Sequence, residues 1–193
     1  MGTESRAFAE RYFGELKRVI DGTPAEQVGR VLDVLLRAHR EGRQVFVLGN
    51  GGSAATASHM ASDLVWGLSR KGIRPMRAVA LTDNVALMTS IANDEGFGSI
   101  FTRQLEALAE PGDVVVAITG SGNSENVVRA LEAARARGLV TVGLLGMGGG
   151  KAKDLVDVAV LVGSDDYGPI EDVHMVIDHL ALAFLRVALA GGG

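Results

Sequence analysis

The stretch VFVLGNGGSAATASHMASDL, residues 45–64, decides the fold. Four apolar residues lead into a turn of glycine, asparagine and serine at residues 49–53, and a helical pattern begins at Ser53. A short continuous apolar run is typical of a parallel strand that is covered on both faces. The stretch therefore predicts a strand, a tight turn and a helix, and His59 and Asp63 follow within that helix.

The same alternation of strand and helix continues to the end of the chain. The predicted strands are residues 45–48, 77–81, 114–118, 140–145 and 158–162. The predicted helices of this part are residues 53–70, 83–93, 99–109, 124–137, 151–155 and 170–188. This order predicts an α/β fold, a doubly wound three-layer sandwich around a five-stranded parallel sheet.

Two further helices are predicted ahead of the first strand, at residues 7–21 and 24–40, because apolar residues recur there at helical spacing. Thr23 is expected to cap the second of them. Pro24 suits the first helical position, and Glu26 would complete a capping box with the threonine.

Length and composition indicate one folded domain. Of the 193 residues, 47% are hydrophobic, and no stretch has the composition of a linker. We predict a single domain, residues 1–193, with a helical pair at 1–42 and an α/β core at 43–190. The glycines at 191–193 are expected to form a frayed tail.

Charge and composition argue against a nucleic-acid or membrane partner. The formal net charge is −4 and the basic residues are scattered, whereas a nucleic-acid surface requires a basic stripe. No run is apolar enough to span a bilayer, and the N-terminus lacks the apolar core of a signal peptide. The absence of cysteine excludes disulfides and thiolate chemistry and fits the cytoplasm, which is the expected location.

Three predicted strands end in glycine-rich loops, at residues 49–53, 119–124 and 146–150. Ligands of open α/β sheets collect at this edge, where helix N-termini offer unpaired N–H donors to an anion. The first two loops add hydroxyl donors, which are Ser53, Thr119, Ser121 and Ser124. Either loop alone could be a tight turn, but together they predict a phosphate held by neutral donors. The third loop lacks a hydroxyl and is interpreted as a turn.

Neither common nucleotide motif fits this chain well. The string GNGGSA is a loose dinucleotide fingerprint, but Asp83, the acidic residue after the next strand, comes late for the ribose contact. The P-loop motif is absent. We therefore expect no nucleotide cofactor and favour a small phosphorylated metabolite as the ligand.

His59 and Asp63 are four residues apart and share one helix face, while Glu171 and His179 lie in the last predicted helix. Such side chains can shuttle protons or bind a divalent metal. Each group also has a purely structural interpretation. His59 and Asp63 could be a local pair on a surface helix, and His179 could be a histidine of the core. Glu171 and His179 are separated by about 12 Å along a helix and about 80° around it. We therefore hypothesise that the site lies at a subunit interface, where a neighbouring subunit supplies one of them.

The chain resembles the sugar isomerase (SIS) domain family, and within it the phosphoheptose isomerases. Four segments carry the resemblance, in the order GNGGSAATASHMASDL, IANDEGF, ITGSGNS and IEDVHMVIDH. The resemblance implies a homotetramer with active sites at subunit interfaces. It also implies that an open-chain ketose phosphate and an aldose phosphate are interconverted through an enediol, with zinc in some members.

Matched position by position, the resemblance implies substrate contacts at Asn50, Gly51, Gly52, Ser53, Asn93, Asp94, Thr119, Gly120, Ser121, Ser124 and Glu171. For a divalent metal, the residues themselves offer a plausible set of nitrogen and oxygen ligands, which is His59, Asp63, Glu171 and His179. In the mechanism that follows, Asp63 removes the proton next to the carbonyl, and His179 protonates or polarises the carbonyl oxygen.

Three positions depart from the family pattern. Asp63 replaces a glutamate and is one methylene shorter, which places its carboxylate about 1 Å from the family position and can lower the rate roughly 100-fold. Glu171 replaces a glutamine and adds negative charge, which favours a cation. Gly120 stands where the phosphate loop usually carries a hydroxyl.

Two other functions remain open from the sequence. Some relatives are non-catalytic binding proteins, including regulators that associate with a replication initiator, but these lack the carboxylate and the last-helix histidine. Sugar-phosphate sensors of this fold usually carry an attached DNA-binding segment, which we do not expect here. An isomerase for a different sugar phosphate is a further alternative.

Overall fold

A computed structural model describes residues 2–190. Five strands form one parallel sheet in the order β2-β1-β3-β4-β5. The strands are β1 (Gln44–Gly49), β2 (Arg77–Ala80), β3 (Val114–Thr119), β4 (Val140–Leu145) and β5 (Val158–Leu161). The predicted five-stranded parallel sheet is therefore confirmed. The glycines at 191–193, expected to form a tail, lie outside the described residues.

Seven α-helices surround this sheet within the described residues. They are α1 (Gly2–Gly22), α2 (Ala25–Glu41), α3 (Gly52–Ser62), α4 (Val85–Glu95), α5 (Thr102–Leu108), α6 (Glu125–Ala136) and α7 (Tyr167–Leu189). A π-helical turn, Asp63–Gly67, continues α3, and 3₁₀ segments follow α4 and β4. None of the helices at residues 2–190 combines the length and the apolar character needed to cross a membrane.

Alternate residues of each strand pack into two separate hydrophobic cores on opposite faces of the sheet, as expected for a sheet covered on both faces. Val45 and Val47 of β1 pack into the core shared with α2, α3 and α7. Phe46 and Leu48 pack into the opposite core, shared with α5 and α6. These residues are fully buried, which explains why the strands are continuous apolar runs and confirms the three-layer sandwich.

The strand order positions the functional edge. The order reverses between β1 and β3, so this pair forms the switch point at which open α/β sheets bind ligands. Gly49, the last residue of β1, is in register with Ile118 near the end of β3. The loops that follow these two strands therefore emerge side by side at the carboxyl edge of the sheet.

The predicted cap of α2 is wrong. Pro24, not Thr23, occupies the N-cap position, and no side chain caps the helix. The hydroxyl of Thr23 instead donates to the carbonyl oxygen of Val19 at 2.8 Å, because α1 ends at Gly22 and that carbonyl, one of the last four, has no partner inside the helix.

The prediction of an α-helix at residues 151–155 is also wrong, because the type of helix differs. This segment belongs to a 3₁₀ stretch, Met147–Leu155, interrupted by Gly148, Gly149 and Gly150 in left-handed or otherwise non-helical conformations. Three successive glycines with positive φ cannot continue an α-helix, although glycine adopts these conformations readily.

We predict that acid weakens the fold through His174, a fully buried residue of α7. Burial lowers the pKa of His174 from 6.5 to about 4, so the folded protein holds the ring neutral while the unfolded chain protonates it. This contribution to stability is complete above pH 6.5 and is lost as the pH falls towards 4. At pH 5 the loss is about 2 kcal/mol.

Urea denaturation of the wild type and of His174→Leu at pH 7 and pH 5 measures this effect. The other titrating groups act on both proteins, so the wild type should lose about 2 kcal/mol more than the variant. Equal losses in the two proteins would contradict the assignment.

Candidate active site

A cavity of about 250 Å³ lies at the switch point between β1 and β3. Residues of the two adjacent loops and of the first turns of α3 and α7 line it. They are Asn50, Gly51, Gly52, Ser53, Ile118, Thr119, Gly120, Ser121, Ser124, Tyr167 and Glu171. The structure therefore brings together the residues of the first two glycine-rich loops, as well as Glu171.

A reciprocal amide pair holds these two loops together. The side chains of Asn50 and Asn126 exchange two hydrogen bonds, both 2.9 Å long. Asn126 is 2% exposed and also accepts from the N–H of Val127 in the first turn of α6. Because both amides are satisfied by each other, the loop after β1 is fixed relative to the N-terminus of α6.

The loop at residues 119–124 is arranged to hold an anion. The hydroxyl of Thr119 accepts from the N–H of Gly122 at 3.2 Å, which closes the turn. Ser124 occupies the N-cap position of α6, yet its side chain makes no capping hydrogen bond. Its hydroxyl and the first N–H groups of the helix therefore remain available as donors beside a positive helix end.

The third glycine-rich loop, residues 146–150, packs against the anion loop at residues 119–124. Gly122 has a φ of +66°, and a methyl group there would overlap the carbonyl of Gly149. The N–H of Ala152 donates to the carbonyl oxygen of Gly122 at 2.9 Å, and the N–H of Lys151 donates to the side-chain oxygen of Asn123 at 3.2 Å. The third loop is thus more than a turn, since it fixes the shape of the second.

Glu171 lies in the cavity, against the N-terminus of α3. A methyl group at Gly52 would overlap its carboxylate, so the two helices approach closely at this point. A carboxylate beside a helix N-terminus is stabilised by the helix dipole. Glu171, expected among the metal ligands, is therefore part of the cavity wall within this chain.

A separate cluster of two histidines and two aspartates lies further along the same helices. His59 and Asp63 come from α3 and its π-helical turn, and Asp178 and His179 come from α7; one ligand atom of each lies within 4.8 Å of all the others. The Nε2 atoms of the two histidines are 3.2 Å apart. The Nε2 of His59 lies 3.6 Å from Asp63 and 3.9 Å from Asp178.

The cluster has the donor set and the spacing of a divalent metal site. Two ligands bound at 2.0–2.1 Å to one tetrahedral zinc ion are about 3.3 Å apart, which compares with 3.2, 3.6 and 3.9 Å from Nε2 of His59 to the other three residues. Both carboxylate oxygens of Asp178 are buried and have no hydrogen-bond partner. A buried carboxylate without a partner is unfavourable, and a cation in the cluster would compensate it.

Electrostatics in the cluster follow from this burial. Removal from water and, to a smaller extent, the neighbouring charge of Asp63 together raise the pKa of Asp178 to about 7. The side chain of Asp178 is 1% exposed, compared with 20% for Asp63 and 45% for His59. The cluster therefore has a buried end at Asp178 and an open end at the histidines, from which a substrate can approach.

Cavity and cluster are in register along two parallel helices. Gly52 meets Glu171 at the cavity, and His59 meets Asp178 at the cluster, seven residues later in both helices. Seven residues of α-helix correspond to about 10 Å. The two parts of the site are thus about two helical turns apart.

Asn93 and Asp94, predicted to contact substrate, do not line the cavity. Both are exposed near the end of α4, where the amide of Asn93 donates to the carboxylate of its neighbour at 2.9 Å. Within this chain the structure therefore does not bring them to either part of the site.

Three residues of the site were missed in the sequence: Asn126, Tyr167 and Asp178. Asn126 follows the second glycine-rich loop and Asp178 interrupts an apolar run directly before His179, so both had a signal. Tyr167 begins α7 with no pattern to distinguish it. Its role depends on the packing of its ring against the loop at residues 119–124.

The fold and the site define an α/β protein whose sheet edge carries a cavity lined by glycine-rich loops, with a cluster of histidines and carboxylates beside it. The chain belongs to the sugar isomerase (SIS) domain family, because the family's model, described as SIS domain, matches residues 10–146.

Relatives and solved structures agree with this family. The phosphoheptose isomerase of Geobacter sulfurreducens is 45% identical over 169 residues, which cover 85% of this chain and 88% of that protein. The phosphoheptose isomerase of Rhodospirillum rubrum is 40% identical over 189 residues, or 98% and 99% of the two chains. The structure of phosphoheptose isomerase from Neisseria gonorrhoeae superposes with a TM-score of 0.88 at 29% identity, covering 97% of this chain and 100% of that one.

Proposed function

We propose that this protein is an aldose–ketose isomerase that converts D-sedoheptulose 7-phosphate into D-glycero-D-manno-heptose 7-phosphate through an enediolate. The observation that carries the proposal is the two-part site on α3 and α7, an anion cavity about 10 Å from a proton-transfer cluster. The phosphoheptose isomerases that resemble the chain over 85–98% of its length support the same substrate.

The substrate's phosphate is held by the loop at residues 119–124 and the N-terminus of α6. The hydroxyls of Thr119, Ser121 and Ser124 and the free N–H groups there supply neutral donors. Asn50 and Ser53 face the sugar from the neighbouring loop. An extended seven-carbon sugar carries its phosphate and carbonyl at opposite ends, which suits the separation of cavity and cluster better than a three-carbon phosphate does.

At the cluster, Asp63 acts as the base and His179 as the acid. Asp63 takes a proton from C1 of the ketose, the C–H electron pair forms the C1–C2 double bond, and His179 protonates the oxygen on C2. His179, now without its proton, takes the proton from the C1 hydroxyl, which forms the aldehyde, while the proton held by Asp63 returns to C2. Histidine and carboxylate are the usual groups for such transfers.

We infer that the cluster holds a divalent cation, for which zinc fits best because two imidazoles and two carboxylates are ligands that zinc accepts. His59, Asp63, Asp178 and His179 would hold it. When bound, the metal would act as a Lewis acid that stabilises negative charge on the substrate oxygen. Asp63 is a weaker base, and the ligating nitrogen of His179 carries no proton to donate, when these residues hold a metal, so the two roles of each residue compete.

We also propose a homotetramer in the cytoplasm, with active sites shared between subunits. Large apolar side chains of α1 and α7 are exposed, including Phe8 (62%), Phe13 (67%) and Leu180 (41%), which is typical of a surface that packs against another subunit. Asn93 and Asp94 would then reach the sugar in the site of a neighbouring subunit. The absence of cysteine supports a reducing compartment.

Turnover tests the function. Purified protein incubated with sedoheptulose 7-phosphate should form heptose 7-phosphate. Asp63→Asn and His179→Ala should each lower kcat by about 10²–10⁴-fold, because each removes a proton-transfer group. Asp154→Asn, a matched change at an exposed aspartate, should leave kcat unchanged. Wild type that binds the sugar phosphate or a protein partner without turnover would refute the enzyme assignment.

Measurements of metal binding distinguish two candidate ligand sets, one that contains Asp178 and one that contains Glu171. We expect Asp178→Asn to weaken zinc binding at least tenfold in competition with a chromophoric chelator, because it replaces an anionic carboxylate ligand with a neutral amide, while Glu171→Gln retains wild-type affinity. Loss of affinity in Glu171→Gln with no change in Asp178→Asn would overturn the proposed set. Equal loss in both would place Glu171 of a neighbouring subunit on the metal.

The assembly is tested by the mass of the protein in solution. Light scattering should give four times the mass of one chain, 20.1 kDa. Phe13→Glu should dissociate the assembly and reduce turnover, because it places a charge in an apolar contact. A fully active monomer would show that each site is complete within one chain.

A further inference from the structure

Gly120, between Thr119 and Ser121 of the anion loop, lies directly against the ring of Tyr167. A Cβ atom built on Gly120 would be 2.8 Å from both Cδ1 and Cε1 of that ring. Real Cβ atoms essentially never approach this closely, so a side chain at residue 120 requires Tyr167 to move. The two positions are therefore coupled, and the tyrosine occupies the space that a side chain on the loop would fill.

Tyr167 also has the properties of a residue that contacts a ligand. It is the first residue of α7, where Asp166 fixes the helix start by accepting from the N–H of Gly168 at 3.1 Å. Its side chain lines the cavity and is 54% exposed. Within residues 2–190 its hydroxyl makes no hydrogen bond, so this donor is free.

We propose that Tyr167 is a substrate-binding residue whose phenol replaces the hydroxyl that the anion loop lacks at Gly120. The ring closes the cavity over the glycine, and the phenol O–H donates to the phosphate. This proposal rests on the proposed function in one respect, because it requires that the phosphate occupies this cavity. The pair Gly120 and Tyr167 thus acts as one unit, a small residue on the loop with a long donor opposite.

The geometry predicts a specific pattern of effects. A hydrogen bond to a charged group contributes about 1.5–3 kcal/mol, so its loss corresponds to about 10–100-fold in affinity. Tyr167→Phe removes only the hydroxyl and should therefore raise the dissociation constant for inorganic phosphate, and KM for the sugar phosphate, by about tenfold. Because Tyr167 does not touch the reacting carbons, kcat should change little.

The matched control is Tyr12→Phe, the same change at the other tyrosine of the chain. The hydroxyl of Tyr12 donates to Asp172 at 2.6 Å, so it is committed to a structural contact. We expect Tyr12→Phe to leave phosphate affinity unchanged. Thermal unfolding of every variant checks that the fold is retained.

A double-mutant cycle tests the coupling between the two positions. Gly120→Ser alone should weaken phosphate binding, because the new side chain collides with the ring. In the Tyr167→Ala background, the same Gly120→Ser change should strengthen phosphate binding, because the serine then supplies the missing hydroxyl. The sign of the effect therefore reverses between the two backgrounds.

Two measurements test the role of Tyr167. Calorimetry gives the dissociation constant for inorganic phosphate, and steady-state kinetics gives KM and kcat for sedoheptulose 7-phosphate. Wild-type affinity in Tyr167→Phe, the same effect of Gly120→Ser in both backgrounds, or no phosphate binding by the wild type would overturn the role of Tyr167. The expected phosphate pattern without turnover of the sugar by the wild type would uphold that role and refute the proposed function instead.

Discussion

The close parallel packing of α3 against α7 is the contact on which the site depends. Glycines allow it at two points, since a Cβ atom at Gly52 would overlap the carboxylate of Glu171 and one at Gly67 would lie 2.9 Å from Leu182. Arg186 locks the far end by donating twice to the carbonyl oxygen of Gly67, at 2.9 and 3.1 Å. With both ends fixed, the residues between them face each other in register, and the four ligand atoms of the cluster converge without any loop.

Much of the fold and part of the site could be predicted from local patterns. The buried strands are continuous apolar runs, and the loops after β1 and β3 meet because parallel strands end at the same edge. The π-helical turn at Asp63 has no comparable signal, and neither does the position of Asp178. An ideal helix places Asp178 about 100° around the axis from His179, so only the packing of α7 shows that both side chains reach one cluster.

The anion cavity depends on distant parts of the chain. The third glycine-rich loop, which has no hydroxyl, fixes the conformation of Gly122 by leaving no space for a side chain there. Asn126 determines where Asn50 lies, although 76 residues separate them. The hydroxyl that is absent at Gly120 cannot be evaluated alone, since the ring of Tyr167 fills the space beside it. Contacts of this kind are invisible to patterns of neighbouring residues.

The two carboxylates of the cluster, Asp63 and Asp178, act on each other through their charges. Asp63 is one methylene shorter than the glutamate of the resembling enzymes, so a metal or proton bound to it lies closer to α3. Asp178 brings a second carboxylate from the opposite helix, buried and without a hydrogen-bond partner. Its negative charge is unfavourable in this environment unless it takes a proton or faces a cation. If both Asp63 and Asp178 were protonated, the imidazoles of His59 and His179 would have no anionic partner. A cation would instead compensate both carboxylates and accept the imidazole nitrogens as ligands, so the charge balance of the cluster supports the proposed metal site.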